Sequence, residues 1–212
     1  MLKGTNEIFT VGHSNHSMSY FIELLKKYQI NCIADVRSVP FSKYTPQFNQ
    51  HELKKDLFHH SIQYVFMGEE FGARRSDRSL YHAKGYVDFA KTQHSPLFLR
   101  GIERVAKGMR DGLRIALMCT EKDPLDCHRF SLVARGFHNH GYAVQHILAD
   151  GSMQSQEQLE EMLLGTYFPQ SGEISLFSED PPDRTVLIEE AYSKKNAEIG
   201  FRQTEERETA AL

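Results

Sequence analysis

The chain has 212 residues, of which 40% are hydrophobic and 25% charged, and its formal net charge is −3. This composition excludes the disordered and fibrous classes of protein. The net charge excludes a protein that binds nucleic acid through its overall charge, but it does not exclude binding through a local basic patch. No apolar run approaches a membrane span and the N-terminus shows no signal-peptide pattern, so we expect a cytoplasmic protein. The three cysteines lack a disulfide-type spacing and are expected to be reduced thiols.

Strands and helices alternate along most of the chain. Apolar runs predict strands at 7–12, 30–36, 62–67, 115–118 and 143–148. Helical spacing predicts helices at 17–28, 52–59, 86–92 and 96–109, from Asp123 to about His140, and from the capping box Ser155-x-x-Gln158 through Leu164. Irregular segments follow the second and third strands, and such long loops are usually functional.

This alternation predicts an α/β fold, namely a doubly wound, Rossmann-like, mostly parallel sheet of about five strands with helices on both faces. We expect one domain over residues 1–168. Residues 169–212 are rich in Ser, Gly, Asp, Pro and charge, and they predict a flexible, partly disordered C-terminal tail with one helix near 186–197.

Polar groups follow three of the predicted strands directly. They are His13 and Asn15 after the first strand, Asp35 and Arg37 after the second, and Cys119, Glu121 and Asp123 after the fourth. Parallel strands end at one edge of a sheet, where α/β proteins bind ligands, so we expect a common site. Each residue alone has a simpler interpretation: Asp123 as a helix cap, or Asp35 as the partner of Arg37 or Arg129.

Cys119 is the candidate nucleophile, because a thiolate at a helix N-terminus beside Arg or Lys has a lowered pKa. The alternative is a buried apolar cysteine whose thiol pKa is raised by neighbouring carboxylates. Tyrosine phosphatases and rhodaneses also place a cysteine after a strand. Leu125, however, stands where a phosphatase would have its arginine, which argues against that chemistry.

Cys127, His128 and Arg129 fall within the predicted helix. Adjacent helical residues point about 100° apart, so Cys127 and His128 are not expected to reach one metal, and we expect no metal and no cofactor. Instead, His128 is a candidate general acid or base. Arg129 is a candidate to pair with Asp35 or to bind an anionic ligand.

Cations alternate with aromatic residues in the two long loops. The set comprises Arg37, Lys43, Arg74, Arg75 and Arg78, with Phe41, Tyr44 and Phe48. Arginine binds phosphate bidentately and aromatic faces stack on bases, so these loops could form a phosphate-and-base surface. The alternative is a solvated loop whose aromatic residues enter the core.

Four segments carry a family resemblance: TVGHSN at 10–15, ADVRSVPFSKYTPQFN at 34–49, MGEEFGARR at 67–75 and CTEKDPLDCHR at 119–129. With them the chain resembles the DUF488 family over about residues 7–150. The resemblance implies a Rossmann-like α/β domain but no reaction. It also implies a site at His13, Asn15, Asp35, Arg37, Cys119, Glu121, Asp123, Cys127, His128 and Arg129.

The tail carries a second resemblance. Glu173 to Phe177, EISLF, is similar to the peptide by which bacterial repair and replication proteins dock on the DNA sliding clamp. Leu176 and Phe177 would be the apolar anchors for the partner's pocket. Alternatively, these two residues fold back onto the protein's own surface.

Two functional hypotheses follow. The first is an enzyme acting on a nucleotide or nucleic-acid component, with Cys119, His128 and Asp35 as catalytic residues. Its ligand-binding residues are His13, Asn15, Arg37, Lys43, Glu121, Asp123, Cys127 and Arg129. The second is a non-catalytic module that binds a nucleotide, nucleic acid or another anionic small molecule and is recruited by its tail. A purely structural ion-pair network explains less well why so many charges gather at one edge.

Overall fold

The computed structural model describes residues 6–169 and 183–203. Its strands are β1 (Glu7–Gly12), β2 (Cys32–Asp35), β3 (Gln63–Phe66), β4 (Ile115–Cys119), β5 (Ala143–Ile147) and β6 (Met153–Ser155). Its α-helices are α1 (Met18–Lys27), α2 (Gln50–His59), α3 (Gly68–Phe71), α4 (Phe89–Gln93), α5 (Pro96–Arg110), α6 (Arg135–Asn139), α7 (Gln156–Tyr167) and α8 (Arg184–Ile199). A π-helix, Arg129–Ala134, leads directly into α6. Within the described ranges, no helix combines the length and apolar character needed to cross a membrane.

The six strands form one sheet in the order β3-β2-β4-β1-β5-β6. The first five are parallel to their neighbours, and β6 runs antiparallel to β5. The predicted α/β class and mostly parallel sheet are therefore confirmed. The sequence missed β6, because a strand of three residues is too short to show an alternating pattern.

Both faces of the sheet are covered by apolar side chains. Neighbouring residues of β2 point to opposite faces. Ile33 packs in a cluster with Phe21 of α1 and Leu53 of α2, whereas Cys32 packs in a second cluster with Phe98 of α5. Strands β1, β2 and β4 are almost wholly buried, as continuous apolar runs predict.

The carboxyl ends of the three central strands lie side by side. In the parallel register Gly12 of β1 pairs with Cys119 of β4, and Asp35 of β2 pairs with Met118. The polar residues that follow these strands therefore leave the sheet at one edge. This adjacency confirms the sequence-based expectation on which the common site depends.

Several predicted helix boundaries are confirmed by their capping contacts. The hydroxyl of Ser17 accepts a hydrogen bond from a backbone N–H in the first turn of α1, and Ser95 does the same for α5. Ser155 and Gln158 form the reciprocal capping box at α7. Gly112, with φ of 92°, ends the turn after α5 in a conformation that favours glycine.

The helix predicted from Asp123 begins later than expected. The Asp123 carboxylate accepts a hydrogen bond from the Leu125 N–H within a local turn, and the helical backbone starts only near His128. Asp123 therefore does not cap this helix, because a turn closed by its own side chain uses the acceptor a cap would need. Likewise, the predicted helix at 86–92 is shorter: Tyr86 pairs with Arg202 in a β-bridge before α4 starts.

The C-terminal segment packs against the domain where the structure describes it. In α8, Tyr192 is buried; its hydroxyl donates to Glu160 and accepts from the Gln156 amide, both in α7. Beyond α8, the Phe201 carbonyl accepts a hydrogen bond from the Val87 N–H. The helix predicted near 186–197 is thus confirmed and is longer than predicted. The domain limit at residue 168 stays a prediction.

Candidate active site

Four reactive side chains meet at the end of β4. Oε2 of Glu121 lies 2.9 Å from Sγ of Cys119 and 2.8 Å from Sγ of Cys127. Nδ1 of His128 lies 3.6 Å from the first sulfur and 3.9 Å from the second. We refer to Cys119, Glu121, Cys127 and His128 as the cysteine cluster, whose donor atoms all lie within 4.8 Å of one another.

The loop that carries this cluster is held by two neighbours. A Cβ atom at Gly12 would collide with the Glu121 carbonyl oxygen, so glycine lets the loop cross the end of β1. The fully buried Arg129 donates hydrogen bonds to the carbonyls of Glu121 and Lys122. The expectation that Arg129 pairs with Asp35 is wrong, because its guanidinium is turned towards these loop carbonyls instead.

The orientation of His128 is fixed by the neighbouring strand. Nε2 lies 3.1 Å from the carbonyl oxygen of Val36, which can only accept, so Nε2 carries the proton. Nδ1 then faces the two sulfurs. Burial acts to lower the pKa of His128, but Cys127 and Glu121 outweigh burial and raise it, so the imidazole carries charge more readily than usual. The prediction that Cys127 and His128 point apart is wrong because Cys127 lies in the turn before the helix, where the helical 100° spacing does not apply.

The two thiols of the cluster differ in acidity. Burial raises the pKa of Cys119 well above its usual value, and neighbouring Cys127 and Glu121 add to this. Burial also acts to raise the pKa of Cys127, but its contact with Cys119 and the charges of Arg129 and His128 outweigh burial and hold it well below the usual value. The lowered thiol pKa that the sequence assigned to Cys119 therefore belongs to Cys127.

Beside the cluster lies a buried ion pair. Arg37 donates to both carboxylate oxygens of Asp35, over 2.8 and 2.6 Å, and also to the carbonyl of Phe48. The hydroxyl of Tyr64 donates to Asp35 as well, over 2.7 Å. The ion-pair interpretation of Asp35 and Arg37 is thus confirmed, and most of the donors of Arg37 are already engaged.

His13 supports this pair from the end of β1. Its Nδ1 donates to the Ser14 carbonyl, so Nε2 is free to accept from Arg37 over 3.1 Å. Burial and then the Arg37 charge lower the pKa of His13 to about 4. The ring stacks on Phe48, with centroids 4.3 Å apart. His13 is therefore a neutral support for Arg37 at physiological pH.

A cleft of about 260 Å³, which we call the site cleft, opens above the cluster. Its lining includes Cys119, Glu121 and His128, the guanidinium-bearing residues Arg37 and Arg74, and Ile199 and Phe201 from the C-terminal segment. The Arg74 guanidinium lies 5.0 Å from the Phe201 ring centroid. Sequence reasoning missed Ile199 and Phe201, because only the packing of α8 brings these distant residues to the sheet edge.

A second cleft of about 750 Å³, the arginine cleft, shares Ser38, Val39 and Arg74 with the site cleft. It also contains Arg75 and the exposed Arg100 of α5. The nearby 37–49 loop gives a mixed outcome for the predicted aromatic surface. Phe41 and Tyr44 are 62% and 96% exposed, whereas Phe48 is buried in the core.

The remaining predicted residues lie elsewhere. Asn15 and Asp123 line a separate cleft together with Lys122 and Leu148. Lys43 is exposed on the 37–49 loop and does not line the site cleft. The predicted anchors Leu176 and Phe177 lie outside the described residues.

The fold and the site define an α/β protein with a cluster of two cysteines, a glutamate and a histidine at the carboxyl edge of its sheet. The family model described as "Domain of unknown function DUF488" matches residues 17–135, more than half of the chain. The protein therefore belongs to the DUF488 family. Searches of curated proteins and of solved structures found no match.

Proposed function

We propose that this protein is an enzyme that acts on a nucleotide or a nucleic-acid component, with its chemistry at the cysteine cluster. The observation that carries the proposal is the site cleft, whose lining includes Cys119, Glu121 and His128 together with Arg74. Thiol, carboxylate and imidazole groups gathered in a cleft are the groups that enzymes use as nucleophiles, as acids and bases, or as ligands of a catalytic metal. A packing role alone would be filled better by apolar side chains.

The cations around the clefts favour an anionic ligand. Within the described residues Arg74 makes no ion pair, and its guanidinium is left to a ring contact with Phe201. Arg100 of the adjoining arginine cleft likewise lacks an ion-pair partner in the described part of the chain. Arginine binds phosphate bidentately, and the exposed rings of Phe41 and Tyr44 are suited to stacking on bases.

The fold supports a ligand site at the carboxyl edge of the sheet, and the thiols support a reducing cellular compartment. Apolar clusters on both faces of the sheet fit the doubly wound, Rossmann-like arrangement that we propose for this chain, in which ligands bind at the carboxyl edge. We also propose a cytoplasmic location, because Cys32, Cys119 and Cys127 are free thiols and a reducing compartment preserves them.

A thermal-shift screen of nucleoside mono- and triphosphates and short oligonucleotides tests the ligand class. A ligand that binds the native state raises the melting temperature. With the best compound, Arg74→Ala should weaken binding by about tenfold or more, the size of a charge-assisted phosphate contact. Arg110→Ala, at the far end of α5 and outside both clefts, is the matched control and should bind as the wild type does. Equal affinity of the two variants would contradict the proposed site.

Mass spectrometry of the bound compound separates catalysis from binding alone. The enzyme hypothesis expects the wild type to convert the compound, and Cys119→Ser to bind it without conversion. The alternative is a non-catalytic module, which the exposed Phe41 and Tyr44 also suit, recruited to the sliding clamp through Glu173 to Phe177. Binding without conversion by the wild type would favour that module. A clamp pull-down unaffected by Leu176→Ala and Phe177→Ala would exclude recruitment through the tail.

A further inference from the structure

We propose that the cysteine cluster is a zinc site with Cys119, Glu121, Cys127 and His128 as its four donors. One atom from each residue lies within 4.8 Å of all the others. Zinc in proteins takes thiolate, imidazole and carboxylate ligands in tetrahedral sets of four. The donors come from the last residue of β4, the following loop and the start of the next helix, so the fold itself brings them together.

The two sulfur–nitrogen distances in the cluster fit a tetrahedral ion. With Zn–S of about 2.3 Å and Zn–N of about 2.0 Å, a tetrahedron separates sulfur from nitrogen by about 3.5 Å. The Cys119 Sγ to His128 Nδ1 distance is 3.6 Å and the Cys127 Sγ to His128 Nδ1 distance is 3.9 Å. Glu121 Oε2 lies closer to both sulfurs, at 2.9 and 2.8 Å, as in hydrogen bonds from thiols. Thiolates cannot donate, so metal binding would let this carboxylate move outwards into the fourth position.

Contacts outside the cluster hold the donors in ligating orientations. The Val36 carbonyl accepts a hydrogen bond from the Nε2–H of His128, which leaves Nδ1 facing the sulfurs. Such a hydrogen bond on the outer imidazole nitrogen is the usual support of a zinc-bound histidine. The backbone N–H of Arg129 donates to Sγ of Cys127 over 3.3 Å, and N–H donors of this kind stabilise a thiolate. This support is an observation independent of the donor spacing.

The identity of the donors selects the metal. Magnesium and calcium prefer all-oxygen sites, whereas two sulfurs, one imidazole nitrogen and one carboxylate oxygen match zinc. The two cysteines are each at most 2% exposed, so both sulfurs are held as buried donors beside the carboxylate. The sequence-based expectation of no metal rested on the helical geometry of Cys127 and His128, which the structure does not have.

Elemental analysis of the full-length protein, loaded with zinc and desalted, tests the proposal. One zinc per chain is expected for the wild type. Cys127→Ala and His128→Ala should each retain almost none, while the matched control Cys32→Ala, in the core and outside the cluster, should retain one. Zinc at wild-type occupancy in Cys127→Ala, or no zinc in the wild type, would overturn the site. Copper or iron in the protein as purified, before zinc is added, would overturn the choice of metal.

A second measurement needs no variant and therefore does not depend on whether the substituted proteins fold. The wild type loaded with Co²⁺ should show the intense visible bands of a tetrahedral ion and the near-ultraviolet charge-transfer band of thiolate ligands. A weak octahedral spectrum without charge transfer would contradict the proposal. Neither measurement uses a nucleotide, so the failure of the zinc site and the failure of the proposed function are distinguishable.

Discussion

Asp35 holds Arg37 in the wall of the site cleft, and both side chains are buried. Removal of the carboxylate charge would leave the guanidinium buried without its partner, which typically costs about 3–5 kcal/mol. We therefore expect Asp35→Asn to lower the free energy of unfolding by about this amount, measured by urea denaturation. Tyr64→Phe removes only one hydrogen bond to the same carboxylate and should cost about 1–3 kcal/mol. A cost for Asp35→Asn no larger than that for Tyr64→Phe would contradict this role.

His146 predicts a pH dependence of stability. It is fully buried between the Thr10 hydroxyl and the Gln156 amide, and burial, followed by the Arg129 charge, lowers its pKa from 6.5 to about 3. Below pH 6.5 the imidazole of His146 is protonated in the unfolded chain but stays neutral in the folded protein. The free energy of unfolding therefore falls as the pH falls, by about 1.4 kcal/mol per pH unit at most. His13 contributes in the same direction, because its pKa is also lowered.

The His146→Gln variant checks this account, because glutamine does not titrate in this range. Denaturation curves of both proteins between about pH 7 and pH 5 should show a shallower loss of stability for the variant. The difference between the two proteins in the free energy of unfolding at neutral pH gives the cost of replacing the buried imidazole, and the pH profiles are compared after this difference is subtracted. Parallel pH profiles would show that His146 does not cause the acid sensitivity.

At the scale of elements, α8 closes one side of the site cleft and is fixed to α7 through Tyr192. The Tyr192 hydroxyl donates to Glu160 and accepts from Gln156, and its ring lies 3.8 Å from the Arg135 guanidinium carbon. Tyr192→Phe should cost about 1–3 kcal/mol, because two buried polar groups lose their partner. Amide hydrogen exchange in α8 should then be faster in the variant than in the wild type, while exchange in the central strands stays the same. Uniformly accelerated exchange, or none, would contradict a local role.

The same elements show what the sequence could predict. Strands β1, β2 and β4 are continuous apolar runs, so the sequence predicted their positions. The helix starts at Ser17, Ser95 and Ser155 were also predicted, because a capping residue is a local signal. The late start of the helix after β4 was not predicted, because aspartate is favoured both in a local turn, as Asp123 is here, and as a helix cap. The joint orientation of Cys127 and His128 depends on that start and was therefore missed.

For the whole molecule, the parallel sheet is what unites the site. The register of β1, β2 and β4 places His13, Arg37 and Cys119 at one edge, which chain order and hydrophobic pattern already indicated. Long-range packing decided the rest. It brought Ile199 and Phe201 to the site cleft, and it left Asn15 and Asp123 in a different cleft, although they follow the same strands.

One titration tests most directly whether these strand ends form a single ligand site. Backbone amide NMR spectra of the ¹⁵N-labelled protein would be recorded as adenosine monophosphate, or the best compound of the thermal-shift screen, is added. The amides of Ser38, Arg74, Thr120 and Glu121 should shift together with one dissociation constant, because they surround the site cleft. Shifts confined to the separate cleft of Asn15 and Asp123, or different affinities at the three strand ends, would contradict a common active centre.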